Sequence, residues 1–101
     1  MAKRSRVDDA CVRELAQALG LLADETRLKI VCQLARREQN VTSLCKSLSV
    51  KQPTVSHHLG LLRIGRLILN RRDGKRMIYG LNTNMLRNMT SKFSGVFRGK
   101  K

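Results

Sequence analysis

The sequence predicts a mainly α-helical domain that carries one β-hairpin, with four helices, two strands and a closing helix in that order. Three observations predict it. Apolar residues recur at steps of three and four through successive segments up to Ile64. Asp73-Gly74 then falls between two short alternating runs, a hairpin signal. Beyond it Met85, Met89 and Phe93 restore the helical spacing. At 101 residues and 42% hydrophobic, the chain suits one domain with a modest core.

Helix 1 is expected from an Asp8 N-cap to about Leu19, with Val7 and Val12 as a hydrophobic staple. Cys11, Leu15, Ala18 and Leu22 form its apolar stripe, and Gly20 loosens its end. Asp24 caps helix 2, with Glu25 well placed against the helix dipole. Helix 2 runs to about Arg37 and buries Leu28, Val31 and Ala35, with Ile30 and Leu34 alongside. Thr42 is expected to cap a short helix 3 that buries Leu44, Cys45 and Leu48. Ser49-Val50 forms a turn, and helix 4 spans about Gln52 to Ile64, with Pro53 in the first turn, where a missing N–H costs little. Gly65 ends it. Leu67 and Leu69, then Met77 and Tyr79, alternate as strands around a type I′ turn at Asp73-Gly74. Helix 5 covers about Asn84 to Val96. Residues 1–6 read as a basic arm, 7–97 as the folded domain and 98–101 as a basic tail.

Charge narrows the partners. Twenty-one Lys and Arg face seven Asp and Glu, a formal charge of +14. Such a surface seeks a polyanion: nucleic acid first, an anionic membrane second. No apolar run approaches the roughly 20 residues needed to cross a bilayer. The basic start lacks the apolar stretch of a secretory signal, and three cysteines, an odd number, fit a reducing compartment, so a cytoplasmic protein is expected. Only Tyr79, Phe93 and Phe97 are aromatic, which disfavours single-strand binders built on stacking platforms.

Residues 48–62, Leu-Ser-Val-Lys-Gln-Pro-Thr-Val-Ser-His-His-Leu-Gly-Leu-Leu, are the most informative stretch. Val55, Leu59 and Leu62 recur at i, i+4 and i+7 and define an inward side. About 100° per residue then turns Pro53 and His57 outward, with Thr54 and Ser56 on the flanks. Gln52, Thr54, Ser56 and His57 carry compact, uncharged hydrogen-bonding groups, suited to base edges more than to phosphates. Gln52 can pair bidentately with adenine. An amphipathic surface helix would show the same pattern; the tight turn before it is what a helix-turn-helix adds. His58 turns inward and reads as a packing histidine. Gly60 costs about 1 kcal/mol relative to alanine, and would permit close approach to DNA or to another helix.

Three motifs extend the reading. Leu22-Ala-Asp-Glu-Thr-Arg-Leu-Lys-Ile30, Gln52-Pro-Thr-Val-Ser-His-His-Leu59 and Arg71-Arg-Asp-Gly-Lys-Arg-Met-Ile-Tyr79 stand in order across roughly residues 15–82. Together they resemble the ArsR/SmtB-type winged helix-turn-helix repressors, as the start of helix 2, the recognition helix and the wing hairpin. The resemblance implies a homodimer packed through the first and last helices. It also implies sequence-specific binding of double-stranded DNA and, usually, repression released by a signal.

Within that frame Arg71, Arg72, Lys75 and Arg76 form a basic wing tip for a flanking minor groove or its phosphates. Lys46, Lys51, Arg63 and Arg66 are candidate phosphate contacts. So are the amides around Thr42 and Ser43 at the start of helix 3. The chain departs from the family at its metal sites. The family's Cys-x-Cys site in helix 3 is replaced by Asn40 and Thr42, and residues 83–98 hold no His, Asp, Glu or Cys. No metal or other cofactor is expected. A sensor, if the chain carries one, falls to cysteine. Cys32 is the first candidate, with Lys29 and Arg36 about a turn away; Cys45 reads as a core residue and Cys11 as part of helix 1. No nucleophile–base grouping or phosphate-binding glycine loop suggests an enzyme. The expectation is a dimeric repressor at an inverted-repeat operator. Its rivals are a sequence-tolerant architectural DNA binder and a winged-helix protein-interaction module.

Overall fold

The computed structural model describes residues 9–98, with side chains through residue 96. Its elements are α1 (Asp9–Leu22), α2 (Glu25–Arg36), α3 (Val41–Leu48), α4 (Gln52–Ile64), β1 (Ile68–Asp73), β2 (Arg76–Leu81) and α5 (Thr83–Arg98). The expected order stands. The Asp8 cap, the Val7 staple, the arm at 1–6 and residues 99–101 of the tail lie outside the described residues. Helix α5 continues to Arg98, one residue into the expected tail.

The core is a continuous cluster. Ile30, Leu44, Val55, Leu59, Leu62, Leu67 and Ile68 are its most deeply buried members, and Leu15 and Met89 close it from α1 and α5. Helix α1 runs through Gly20 to Leu22 and does not stop at Leu19. Leu21 and Leu22 pack against the core, and their burial offsets the roughly 1 kcal/mol an interior glycine costs. The Asp24 carboxylate accepts the Arg27 N–H at 3.1 Å and caps α2 as expected.

Two expectations fail in α2 and α3. In α2, Ile30 and Leu34 are the buried residues, while Leu28 is 48% exposed and Ala35 is also exposed. In α3 the cap is Asn40, whose side chain accepts the Ser43 N–H at 2.8 Å, so Thr42 sits inside the first turn. Asparagine outranks threonine at an N-cap, and helix α3 gains two residues by it.

Helix α4 ends in a Schellman pattern: the Leu67 N–H donates to Leu62 O and the Arg66 N–H to Arg63 O. The left-handed position is Arg66, at φ 65°, and not the glycine. Gly65 stands one residue earlier because a Cβ there would collide with the Leu21 side chain of α1. The register of the hairpin pairs Asp73 with Arg76, so its two-residue loop is Gly74-Lys75 rather than Asp73-Gly74. Positive φ at Gly74 but not at Lys75 is the pattern of a type II′ turn, not of the expected type I′. Leu67 and Ile68 are both buried, and Leu69 is exposed, so the alternation expected of Leu67 and Leu69 fails at the start of β1. Asn82 joins the hairpin to what precedes and follows it. Its Nδ2 donates to Arg66 O at 2.9 Å, and its Oδ1 accepts the Met85 N–H at 3.1 Å and caps α5.

Candidate nucleic-acid interface

Helices α3 and α4 are held at a fixed angle by the turn between them. Ser49 adopts the left-handed conformation (φ 56°, ψ 45°), and the Val50 N–H returns to Cys45 O at 3.2 Å. Lys51 precedes α4 without a side-chain cap, and Pro53 occupies its first turn. Val55, Leu59 and Leu62 are buried to within 1% of complete. That anchoring leaves Pro53 and His57 exposed opposite the stripe, Thr54 and Ser56 exposed on its flanks, and Gln52 exposed at the first turn of the helix. The helix thus presents an uncharged, hydrogen-bonding face on a rigid support, as base reading requires.

His58 is half-buried, and its Nδ1 lies 3.2 Å from an Arg27 guanidinium nitrogen. It packs α4 against α2, as the sequence implied. Gly60 has nothing within 4 Å of where a Cβ would stand, so no other element among the described residues crowds that position.

The cations around this face divide into two groups. Arg71 is tied to Glu38 by a 2.7 Å hydrogen-bonded ion pair, which raises the guanidinium pKa above its ordinary value. It belongs to the seam between the wing and the α2–α3 linker. Arg72, Lys75 and Arg76 are exposed and have no ion pair among the described residues. Lys75 and Arg76 face Lys46 across a cleft of about 520 Å³ that Asn40, Thr42 and Ser43 also line. Three cations and no acidic side chain make that cleft attractive to a phosphate. Ser43, however, is committed: its N–H is taken by Asn40, and its hydroxyl donates to Gln39 Oε1 at 3.0 Å. Thr42 remains exposed there. Lys51 and Arg63 are exposed at the two ends of α4.

Gln39 was not marked by the sequence. It is 4% exposed, its backbone pairs with Tyr79 of β2, and its Nε2 donates to Gln33 O at 3.0 Å. In the sequence it reads as one more polar linker residue. Arg27 likewise gave no signal beyond a charge on α2. Asn40 could have been found from its rank as a capping residue.

The cysteines are dispersed on α1, α2 and α3. Cys32 is exposed beside a shallow cleft; Cys11 and Cys45 are intermediate. Lys29, expected as a basic neighbour of Cys32, is ion-paired with Glu25 at 3.0 Å. Asn40 serves as a helix cap. Among the described residues no three His, Cys, Asp or Glu side chains converge as a metal site would require, and no helix is long and apolar enough to cross a membrane.

A two-helix turn unit with an exposed polar second helix, followed by a basic hairpin, defines a winged helix-turn-helix domain. Comparison with known proteins agrees. A family profile described as bacterial regulatory protein, arsR family, matches residues 24–68. The HTH-type transcriptional regulator KmtR of Mycobacterium tuberculosis is 35% identical over 82 residues, 81% of this chain and 62% of that protein. The arsenical resistance operon repressor of Staphylococcus aureus is 35% identical over 74 residues, 73% of this chain and 71% of that one. Among solved structures, this chain resembles the homodimeric winged helix-turn-helix DNA-binding domain of a possible ArsR-family regulator from Mycobacterium bovis. The TM-score is 0.72 at 28% identity, over 89% of this chain and 84% of that one. The chain belongs to the ArsR family, a family of transcriptional regulators. It spans about three fifths of the length of the first curated relatives it matches.

Proposed function

We propose that this protein is a dimeric, sequence-specific DNA-binding repressor in which α4 reads base edges and the wing grips the flanking backbone. One observation carries the reading: Gln52, Thr54, Ser56 and His57 stand exposed on a helix anchored through its buried Val55, Leu59 and Leu62, and a cation-lined cleft opens between α3 and the hairpin. The uncharged face supplies specificity and the cations supply affinity. Its relatives being named as repressors supports the direction of regulation. The protein works in the cytoplasm, where its target lies, and is not an enzyme.

The dimer forms through α1 and α5. Val12 and Leu19 on α1 and Phe93 on α5 are large apolar side chains left exposed. A concavity of about 780 Å³ opens between these helices and the end of α4, lined by Leu15, Ala18, Met85 and Met89 among others. A second copy would cover such a surface, and the homodimeric relative supports that arrangement.

The protein senses no metal at the family's helix 3 or last-helix positions, where Asn40, Thr42 and residues 83–98 offer no soft or charged ligand set. A cysteine sensor would begin at the exposed Cys32.

Anisotropy of a labelled duplex against salt tests the electrostatic half. Six to ten phosphate contacts predict a roughly 10³- to 10⁵-fold loss of affinity between about 50 and 200 mM salt. Affinity that stays level across that range would remove the basic surface from the account.

A further inference from the structure

Arg27 and His58 join the start of α2 to the middle of the recognition helix. Arg27 Nη1 lies 3.2 Å from His58 Nδ1. A guanidinium has only N–H donors and stays charged, so in this contact Nδ1 must carry a lone pair. This contact is a hydrogen bond only when His58 is neutral with its proton on Nε2. The same guanidinium donates through Nε to Leu21 O of α1 at 2.6 Å. The Arg27 backbone N–H is held by the Asp24 carboxylate, and this bond keeps the carboxyl below its ordinary pKa. Arg27 is thus fixed by α1 and by its own helix cap, and offers His58 a rigid donor. The other groups facing His58 are the Asp24 carboxylate that caps α2 and the His57 ring on α4, with ring centroids 5.5 Å apart.

We propose that Arg27 is the positioning residue of the recognition helix, acting through a hydrogen bond to neutral His58 that protonation breaks, so that duplex affinity responds to pH. The inference rests on the DNA-reading role of α4. A proton from water taken up at Nδ1 fills the lone pair that Arg27 uses. Two donors, both cationic, then face each other, while Asp24 attracts the new imidazolium. His58 must leave Arg27, and Ser56 and His57 on the same turn of helix lose their fixed aim. Imidazoles change charge between about pH 5 and 8. The positioned state needs neutral His58, so its contribution is full on the alkaline side and is lost as pH falls. Exposed His57 acts with the opposite sign, because an imidazolium at the surface gains phosphate attraction. The two must be separated by substitution.

The test compares the full chain with His58→Gln, whose amide oxygen can accept from Arg27 and cannot titrate. Between about pH 7.5 and 5.5 the wild type should lose roughly tenfold more duplex affinity than His58→Gln, the size of one charge-assisted hydrogen bond. Since His57 is present in both, its effect cancels. Equal pH dependence in the two proteins would overturn the proposal. Nitrogen-15 NMR of the histidine rings, without DNA, gives an independent reading. His58 should show an unprotonated Nδ1 near pH 7.5, its titration should move the α4 amides, and Arg27→Ala should abolish that movement. A neutral ring with the proton on Nδ1, or α4 amides indifferent to the titration, would refute it. If no variant binds any duplex, the DNA-reading role fails, and the ring spectra alone then decide whether Arg27 positions His58.

Discussion

Gln39 and Tyr79 exchange both backbone hydrogen bonds, at 3.0 and 2.8 Å, and so fasten the α2–α3 linker to the second strand of the wing. The Gln39 side chain completes the seam. It donates to Gln33 O and accepts from Ser43 Oγ, so the end of α2, the start of α3 and the wing meet at one buried amide. A wing joined only by its own hairpin would hinge; this one is registered against the helix-turn-helix.

Gln39→Ala keeps the backbone pairing and deletes the buried amide. Two partners lose their bonds and a cavity opens. Stability should fall by about 1–3 kcal/mol, measured by urea denaturation. An unchanged midpoint would show that the side chain does not hold the seam.

Arg71 and Arg72, neighbours on the wing, should behave differently. Arg72→Ala should weaken binding to all duplexes and reduce the salt slope by about one. Arg71→Ala should do less, because Glu38 already neutralises that cation. Glu38→Ala should release Arg71 and strengthen non-specific binding. The exposed ion pair contributes little stability, so thermal denaturation should not distinguish these variants. Identical salt slopes for Arg71→Ala and Arg72→Ala would contradict the division.

The cap of α3 is a second discriminating case. Asn40→Ala should cost about 0.5–2 kcal/mol, while Thr42→Ala should stay within about 0.5 kcal/mol of the wild type. The reverse order would restore Thr42 as the cap.

Helix α4 was legible because its sequence leaves little choice. Val55, Leu59 and Leu62 make one apolar stripe, a proline marks its start, and every other long side chain on it is polar except Leu61 and Ile64. The orientation of α2 was not legible for the opposite reason. Leu28, Ile30, Val31 and Leu34 offer two overlapping stripes, and only packing against Leu44 and the α4 core selects Ile30 and Leu34. The wing was readable as a hairpin but not in register. The left-handed residue falls at Arg66, which breaks the alternation before β1, and Gly74 takes the first place of the loop rather than the second. The contacts of Gln39 with Tyr79 and of Arg27 with His58 link residues 40 and 31 positions apart, and no local pattern announces them.

Cys32 should be the most reactive of the three thiols. It is exposed, whereas Cys11 and Cys45 are partly covered. Access governs labelling as much as thiolate character does. A thiol reagent applied to the native protein should modify Cys32 first, and Cys32→Ser should remove the fast phase. A fast phase that persists in Cys32→Ser would assign the reactive thiol elsewhere.

The central claim is that the exposed face of α4 reads sequence, and selection from a random duplex library tests it most directly. The wild type should enrich an inverted repeat with half-sites about one helical turn apart. Gln52→Ala should lose about 1–3 kcal/mol on that site, relax the preference at one base pair of each half-site, and bind random DNA almost as before. A library that stays random after selection, or a Gln52→Ala variant that weakens every duplex equally, would contradict the account and leave a basic protein that binds DNA without reading it.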